Sequence, residues 1–442
     1  MNAYRKGYRV ACGLVACLLL SPSVSAAELT LEQAVEQALA QDLWLDSSRY
    51  NEVAKQAMAE AAGALPDPKI SLTLANMPTD GFDFGQEGMS QFSLAISQTL
   101  PRGATLELAQ RRFGQEAELQ PLRRQERRAQ VRLQVSQLWL EAWRARESLQ
   151  LIDANRELFE QLQDVATSSY VTALGGTRQQ DVVRARLELT QLDDKIHRLK
   201  QQHDTLIGRL SEWLAAASAS NPKLIDVRIA DVDPALELER RLPVATARES
   251  RARFFIQHPS VVLFDQQIDL AQTDITLAKQ SYKPAWGLTA SYGYRGDDPA
   301  GQDRADLVTL GVSMEMPLFS TRRPDAQVTS NVSRAQAIRT DRLLKLRQLL
   351  AAHDSSMAAL ERLNQRLSLY RRQLLPQTAL AAEAALNAYT QDAGDFAEVV
   401  RARIAELNTR LAEIEIVAEQ QEQIAQLNYL LTQVRQEEME YE

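Results

Sequence analysis

Two stretches decide the fold: Pro68-Lys69-Ile70-Ser71-Leu72-Thr73-Leu74 and, 216 positions later, Pro284-Ala285-Trp286-Gly287-Leu288-Thr289-Ala290. Leu100-Pro101 and Met316-Pro317 repeat at the same offset, so both halves keep the same proline-to-proline spacing. Gln41 and Gln257 share it as well. Further on, Val182-Val183-Arg184-Ala185-Arg186 returns as Val399-Val400-Arg401-Ala402-Arg403. Chance explains one short identity more easily than it explains a preserved spacing. The chain reads as a tandem duplication in which each half needs a neighbour to bury its faces.

Working outward, the period of the hydrophobic pattern changes in the same order in each half. Helical spacing covers residues 31–62 and 245–279. The period then switches to two. Ile70, Leu72 and Leu74 alternate with Ser71 and Thr73; Phe92, Leu94 and Ile96 with Ser93, Ala95 and Ser97. In the second half Trp286, Leu288, Ala290, Tyr292 and Tyr294 alternate with Gly287, Thr289, Ser291 and Gly293. Val308, Leu310, Val312, Met314 and Met316 alternate with Thr309, Gly311, Ser313 and Glu315. These patterns predict four strands, joined pairwise by the Asp- and Gly-rich stretches 78–88 and 296–306 into one hairpin per half.

Long helices follow each hairpin. Leu189, Leu192, Ile196, Leu199, His203, Leu206, Leu210 and Trp213 step by three and four in strict alternation, a 3.5-residue period that predicts coiled-coil packing. Val131, Val135, Leu138, Ala142, Ala145, Leu149 and Ile152 do the same, as do Val400, Ile404, Leu407, Leu411 and Ile414. Residues 130–170 alone would extend about 60 Å as one helix, too long for a compact domain. Gly175-Gly176 and Gly394 break these helices into helical hairpins. The expected division is a leader at 1–26, a first repeat at 27–217, a linker at 218–243, a second repeat at 244–435 and an acidic tail at 436–442.

The first residues point to secretion. Arg5, Lys6 and Arg9 precede an apolar run from residue 10 to 20, Pro22 breaks it, and Val24-Ser25-Ala26 offers small residues for cleavage. The run is too short to span a bilayer. Leu14-Val15-Ala16-Cys17 also fits a lipoprotein box, although Leu18-Leu19-Leu20 continues the apolar run past that cysteine. Cys12 and Cys17 are the only cysteines, which excludes a disulfide framework and a four-cysteine zinc site. With 50 Lys and Arg against 58 Asp and Glu, the net charge of −8 argues against a nucleic-acid partner.

Each expected strand has about the ten residues needed to cross a bilayer when tilted. Backbone groups in lipid are satisfied only in helices and closed barrels, and four strands close nothing. Two chains would give eight strands, a barrel filled by its own side chains; three give twelve and leave a passage. At this point the order helix, hairpin, long helical hairpin, twice over, resembles the TolC family of outer-membrane channels. The motifs that carry the resemblance are Leu65-Pro66-Asp67-Pro68, Gln98-Thr99-Leu100-Pro101-Arg102-Gly103, Met316-Pro317-Leu318-Phe319-Ser320 and Leu374-Leu375-Pro376-Gln377. Asn76-Met77-Pro78 and Pro317-Leu318-Phe319-Ser320-Thr321-Arg322-Arg323 look most like the branch serving Cus- and Czc-type heavy-metal pumps.

The resemblance implies a mainly α fold with a β part: a homotrimer with a 12-stranded transmembrane β-barrel on a periplasmic barrel of coiled-coil helices. It implies an outer-membrane location in a Gram-negative bacterium. It also implies two protein partners, a periplasmic membrane-fusion adaptor and an inner-membrane resistance-nodulation-division (RND) pump. The function expected is passive export, with metal ions, organic drugs or a secreted polypeptide as cargo. A periplasmic coiled-coil scaffold is the remote alternative, and fractionation with soluble proteins would mark it.

No catalytic constellation is present, and no Gly-rich loop with Lys-Ser or Lys-Thr offers nucleotide binding, so neither an enzyme nor a cofactor is expected. His197, His203, His258 and His353 lie in separate segments or helix registers and read as core or lumen residues rather than metal ligands. Met314 and Met316 share one strand face and read as packing residues. In the family an acid just before the Val-Val pair faces the narrow periplasmic end, which carries over to Asp181 and Glu398. The residue three further on is often a second acid there, but is Arg184 and Arg401 here. Ion pairs among these four would restrain the closed end. Gly175, Gly176, Thr177, Gly394 and Asp395 form the expected hairpin tips, where an adaptor docks.

Overall fold

The computed structural model describes residues 28–172, 179–215, 227–239, 248–298, 300–391 and 393–434. The leader, Gly175, Gly176, Thr177, the tail and parts of the linker lie outside them. Strand β1 (Glu28–Leu29) leads into α1 (Leu31–Gln41) and α2 (Leu43–Gly63), then β2 (Lys69–Ala75) and β3 (Gln91–Leu100). The first helical hairpin is α3 (Thr105–Thr172) and α4 (Gln179–Leu214). Strand β4 (Arg228–Ile229) follows, then α5 (Arg248–Phe255), α6 (Pro259–Lys279), β5 (Ala285–Tyr294) and β6 (Leu307–Glu315). The chain ends with α7 (Arg322–Leu369), a π-helical turn (Tyr370–Leu374), α8 (Leu375–Thr390) and α9 (Phe396–Leu430).

Both helices expected before the hairpins are broken once, and at equivalent places. Thr30 opens α1 with a capping box to Gln33. Asp42 then leaves the helical region, and its carboxylate accepts from the Trp44 N–H to start α2. His258 does the same 216 positions later, accepting from the Ser260 N–H at the start of α6. Pro259 pushes His258 out of helical geometry and supplies a pre-set first helical residue. Periodicity alone missed these breaks because the apolar spacing continues through them, whereas a cap is local chemistry.

Four of the strands form one antiparallel sheet in the order β2-β3-β5-β6. The second hairpin therefore lies directly beside the first. Below the sheet, α3 runs unbroken for 68 residues, about 100 Å. It carries Pro121 within it, beside buried Gln120 and Leu122. No helix among the described residues is long and apolar enough to cross a membrane.

The two largest of the apolar clusters that hold the helices lie along α3, and smaller ones join α6 and α9 to α7. The first gathers Ala34, Val35 and Ala38 of α1, Val131 to Trp143 on α3, and Leu206, Leu210 and Leu214 of α4. Val227 and Ile229 dock onto it from the linker, where β1 and β4 pair in parallel. The Trp139 indole N–H donates to the Leu29 carbonyl at 2.9 Å, and Arg146 donates to the Ile229 carbonyl at 2.6 Å. The second cluster joins Ile152, Phe159 and Leu162 of α3 to Ile196 of α4 and to Phe396, Val399, Val400, Leu407 and Leu411 of α9.

Candidate functional site

The candidate site is a path with three stations: the sheet, the junction beneath it, and the tips of the helical hairpins. Register decides what the sheet presents. Leu94 lies opposite Leu72 on one side and Tyr292 on the other, and Tyr292 opposite Val308. Ile96 meets Ile70 and Ala290, and Ala290 meets Leu310. The large apolar positions of all four strands thus fall on one face, except Leu307 at the start of β6, which pairs with Gly293 on the other. Ser71, Thr73, Ser93, Ala95, Ser97, Thr289, Ser291, Gly311 and Thr309 fall on the other, paired with one another throughout. Among large residues Gln98 alone breaks the apolar face; its amide donates to the Pro66 carbonyl at 2.7 Å at the sheet's end. Met314 sits on the apolar face opposite Trp286, a packing position. A one-residue slip of any strand would have scrambled this separation.

The loops at the far end of the sheet hold each other. Arg295 donates to the Gly88 carbonyl at 2.8 Å, Arg304 to the Glu87 carbonyl at 3.2 Å, and Phe84 stacks on Tyr294. At the opposite end, Arg102 ties β3 to the second hairpin. Its guanidinium donates to the Ser281 and Lys283 carbonyls at 3.1 and 2.9 Å and to Glu315 at 2.6 Å. Gly103 follows with φ +51°, and a side chain there would meet Lys283 and Gln280 within 2.5 Å. Glycine takes this conformation without strain, and any side chain would have to push the ends of Lys283 and Gln280 aside.

Beneath the sheet the helix breaks are anchored to α3. Arg127 grips Asp42 with two hydrogen bonds, 2.8 and 3.2 Å, and lies between the Trp44 and Trp213 rings. His258 is buried between Ser260 and the Tyr429 carbonyl, and burial holds its pKa below the usual imidazole range. The Tyr429 hydroxyl donates to Glu126 at 2.7 Å; burial pushes that phenol up, and the Glu126 charge pushes it further. His353 is fully buried against Phe255, while His197 and His203 lie on α4, the latter beside Asp204. The four histidines stay apart. Among the described residues no three or more His, Cys, Asp or Glu gather as a metal-binding group.

At the tips the two halves are unequal. Gly394 makes a turn so tight that a Cβ would come within 2.9 Å of the Tyr389 backbone nitrogen. Asp395 then caps α9, accepting from the Ala397 N–H at 3.3 Å. Phe396, Val399 and Val400 are buried, and Phe396 meets Tyr389 edge-on. Glu398 and Arg401 are exposed and pair with each other across one helical turn at 3.0 Å. On α4, Val182 joins the same apolar cluster, whereas Val183 and Arg184 are exposed. Asp181 lies in the first turn of α4. The shared cluster brings residues 181–184 and 398–401 to one end of the bundle, and the acid–arginine spacing of each half spans a single helical turn.

Sequence reasoning read the alternation that the strand register keeps. It missed Arg102 and Arg127, whose partners lie far away in sequence; His258 is buried, as a core residue would be, but its capping of α6 was not read. One signal pointed to the breaks: Gln41-Asp42 and Gln257-His258 sit at the repeat offset, each a capping-competent residue.

The three-dimensional structure is similar to that of CusC, whose crystal structures record conformational changes accompanying folding and transmembrane channel formation. Identity is 16% over 91% of this chain and 92% of that one, with a TM-score of 0.73. The outer membrane protein VceC of Vibrio cholerae matches at 16% identity over 91% and 96%, TM-score 0.70. The CmeC outer membrane channel of Campylobacter jejuni matches at 12% over 98% and 93%, TM-score 0.73. No protein-family profile matches the sequence, and no curated protein is similar to it in sequence. The fold is that of the TolC-like channels, mostly helical with one small sheet.

Proposed function

We propose that this chain is the outer-membrane duct of a tripartite efflux system, assembled as a homotrimer. The observation that carries the reading is the sheet register, which gathers every large apolar strand position except Leu307 onto a single face and the small polar positions onto the other. That is the division between lipid and lumen in a transmembrane barrel. Four strands with two free edges call for further copies, and three copies leave a passage. The long helices then continue the passage through the periplasm, and the likeness to outer-membrane channels supports the same reading. The leader at 1–26 would deliver the chain there.

A passive duct needs a pump and a connector. An inner-membrane RND pump and a periplasmic adaptor fill these roles, the adaptor meeting the tips around Gly175, Gly176, Thr177, Gly394 and Asp395. Asp181, Arg184, Glu398 and Arg401 would narrow the aperture. For cargo we infer heavy-metal ions, on the strength of the Asn76-Met77-Pro78 and Pro317-to-Arg323 signatures. Sucrose-gradient fractionation should place the mature protein with the outer-membrane porins; recovery in the inner membrane or the soluble periplasm would sink the reading. Deleting the gene should sensitise the cell to metal salts. Sensitivity to organic dyes and detergents alone would move the cargo to drugs.

A further inference from the structure

Closing the barrel sets β6 of one copy on β2 of the next, and at the proline end of this seam we propose that an ion pair between Glu315 and Lys69 of the partner subunit locks it. The inference rests on the self-associating barrel of the preceding section and specifies its contact. The sheet runs β2-β3-β5-β6, and the helices beneath pack in the matching order: α2 on α3, α3 on α6, α6 on α7. The free flanks are therefore β2 with α2 and β6 with α7. The inner junction, β3 on β5 above α3 on α6, joins the end of one repeat to the start of the next. Applying the same junction once more sets β6 and α7 of one copy on β2 and α2 of another. The free helices are dressed for such a contact: α2 exposes Leu43, Tyr50 and Val53, and α7 exposes Val332, Leu343 and Leu344.

Charge makes the occupant specific. Neither inner strand, Gln91–Leu100 nor Ala285–Tyr294, contains a charged residue. Each edge strand contains one: Lys69 in β2 and Glu315 in β6. The two are opposite in sign, lie on the small polar face, and stand at the same end of the sheet, beside Pro68 and two residues before Pro317. Glu315 is 81% exposed even while it accepts from Arg102, and Lys69 is exposed and holds no ion pair among the described residues. An edge strand with one cation and an edge strand with one anion complement each other and not themselves.

The inner junction also gives the register. Ser97 lies opposite Thr289 and Thr99 opposite Gly287. Carried over by the repeat offset, Ser313 lies opposite Thr73 of the partner subunit, and Glu315 opposite Ser71 of the partner subunit. Lys69 of the partner subunit is then the diagonal neighbour of Glu315, within reach of two long side chains. Met314 and Val312 fall beside Leu72 and Leu74 of the partner subunit, so the apolar band crosses the seam unbroken. Closed with three copies, this register and the observed ones tilt the strands by about 45°, the usual value for a barrel.

The test uses the full-length protein purified in detergent. Thr73→Cys with Ser313→Cys should give covalent dimers and trimers on mild oxidation, reversed by reductant, with the parent chain as control for Cys12 and Cys17. Thr73→Cys combined with Gly311→Cys or Glu315→Cys should cross-link more slowly; if either is faster, the register is overturned. Lys69→Met should lower the temperature at which the oligomer dissociates, but should change nothing further in a Glu315→Gln background. Additive losses would overturn the ion pair. A chain that is monomeric by light scattering would overturn the duct reading itself, whereas an oligomer with additive losses or shifted cross-links overturns the seam alone.

Discussion

Replacing Leu310 with arginine puts the division between the two sheet faces at risk in a single position. Leu310 is 80% exposed, near the middle of β6, between Val308 and Val312 on the same face and opposite Ala290. An exposed leucine with apolar neighbours on a water-facing sheet would gain from arginine. On a lipid-facing barrel strand arginine near the midplane costs about 2–4 kcal/mol. Three copies multiply this to about 6–12 kcal/mol per trimer, as large as the whole stability of an ordinary domain, about 5–15 kcal/mol. Thr309, one residue away, faces Ser291 on the other side of the sheet. Arginine there enters water, and its cost should stay within about 0.5 kcal/mol. The assay is the amount of heat-modifiable oligomer in isolated outer membranes at matched expression. Leu310→Arg should lose most of it and Thr309→Arg little. The pairs Leu94 with Ser93 and Leu288 with Thr289 should behave alike. Equal damage from both members, or equal tolerance, would refute the assignment of faces.

Other consequences are open to measurement. Burial and the neighbouring Glu141 push Glu422 up to about 7, against the pull of Arg144. An acid held protonated in the fold costs stability as pH rises from its unfolded value, about 4.3, through 7. Glu422→Gln should therefore raise the unfolding temperature at pH 8 and leave it unchanged at pH 4, a gain on the order of 1–2 kcal/mol per chain after allowance for solvent screening; a gain equal at both pH values would exclude this origin. Asp181→Ala with Glu398→Ala should raise single-channel conductance in planar bilayers, as should Arg184→Ala with Arg401→Ala, and high salt should partly mimic both. Unchanged conductance in folded trimers removes these four from the aperture. Gly394→Ala should speed hydrogen exchange over residues 388–396, since its Cβ meets backbone that cannot swing away; its cost is about 1–3 kcal/mol. Protection equal to the parent would show that the turn yields.

What the sequence made legible follows from the range of each interaction. Strand faces are set by alternation between adjacent residues, so Leu94 against Ser93 could be read directly, and the register then placed them as that alternation required. The coiled-coil period likewise needs only neighbours three and four away, and Ile196, Leu206 and Leu210 are buried on that stripe. By contrast, Arg127 reaches Asp42 across 85 positions and Arg102 reaches Glu315 across 213. Nothing in the local pattern distinguishes Arg127 from the many other arginines of α3, and the motif that contains Arg102 does not point to a partner in the second hairpin. The linker was equally opaque, because β4 is two residues long and exists through its pairing with Glu28 and Leu29.

A divergence between the repeats shows a long helix rewinding locally beside a proline. Pro376 lies near the start of α8, just after the π-helical turn Tyr370–Leu374. Proline has no N–H to offer, and its ring crowds the carbonyl four residues back, that of Arg372. Widening the helix by one residue per turn lets the backbone pass that obstacle without ending. The matching stretch of α3, around Phe159, contains no proline, and α3 continues as regular α-helix to Thr172. The same duplicated pattern therefore gives a regular α-helix over this stretch of the first hairpin, although α3 carries Pro121 further up, and one interrupted by a π turn in the second. Arg371 is held to Glu413 of α9 at 2.7 Å within that joint. A strict repeat would have made the hairpins interchangeable; Pro376 and its π turn make the α7–α8 arm of the second structurally distinct.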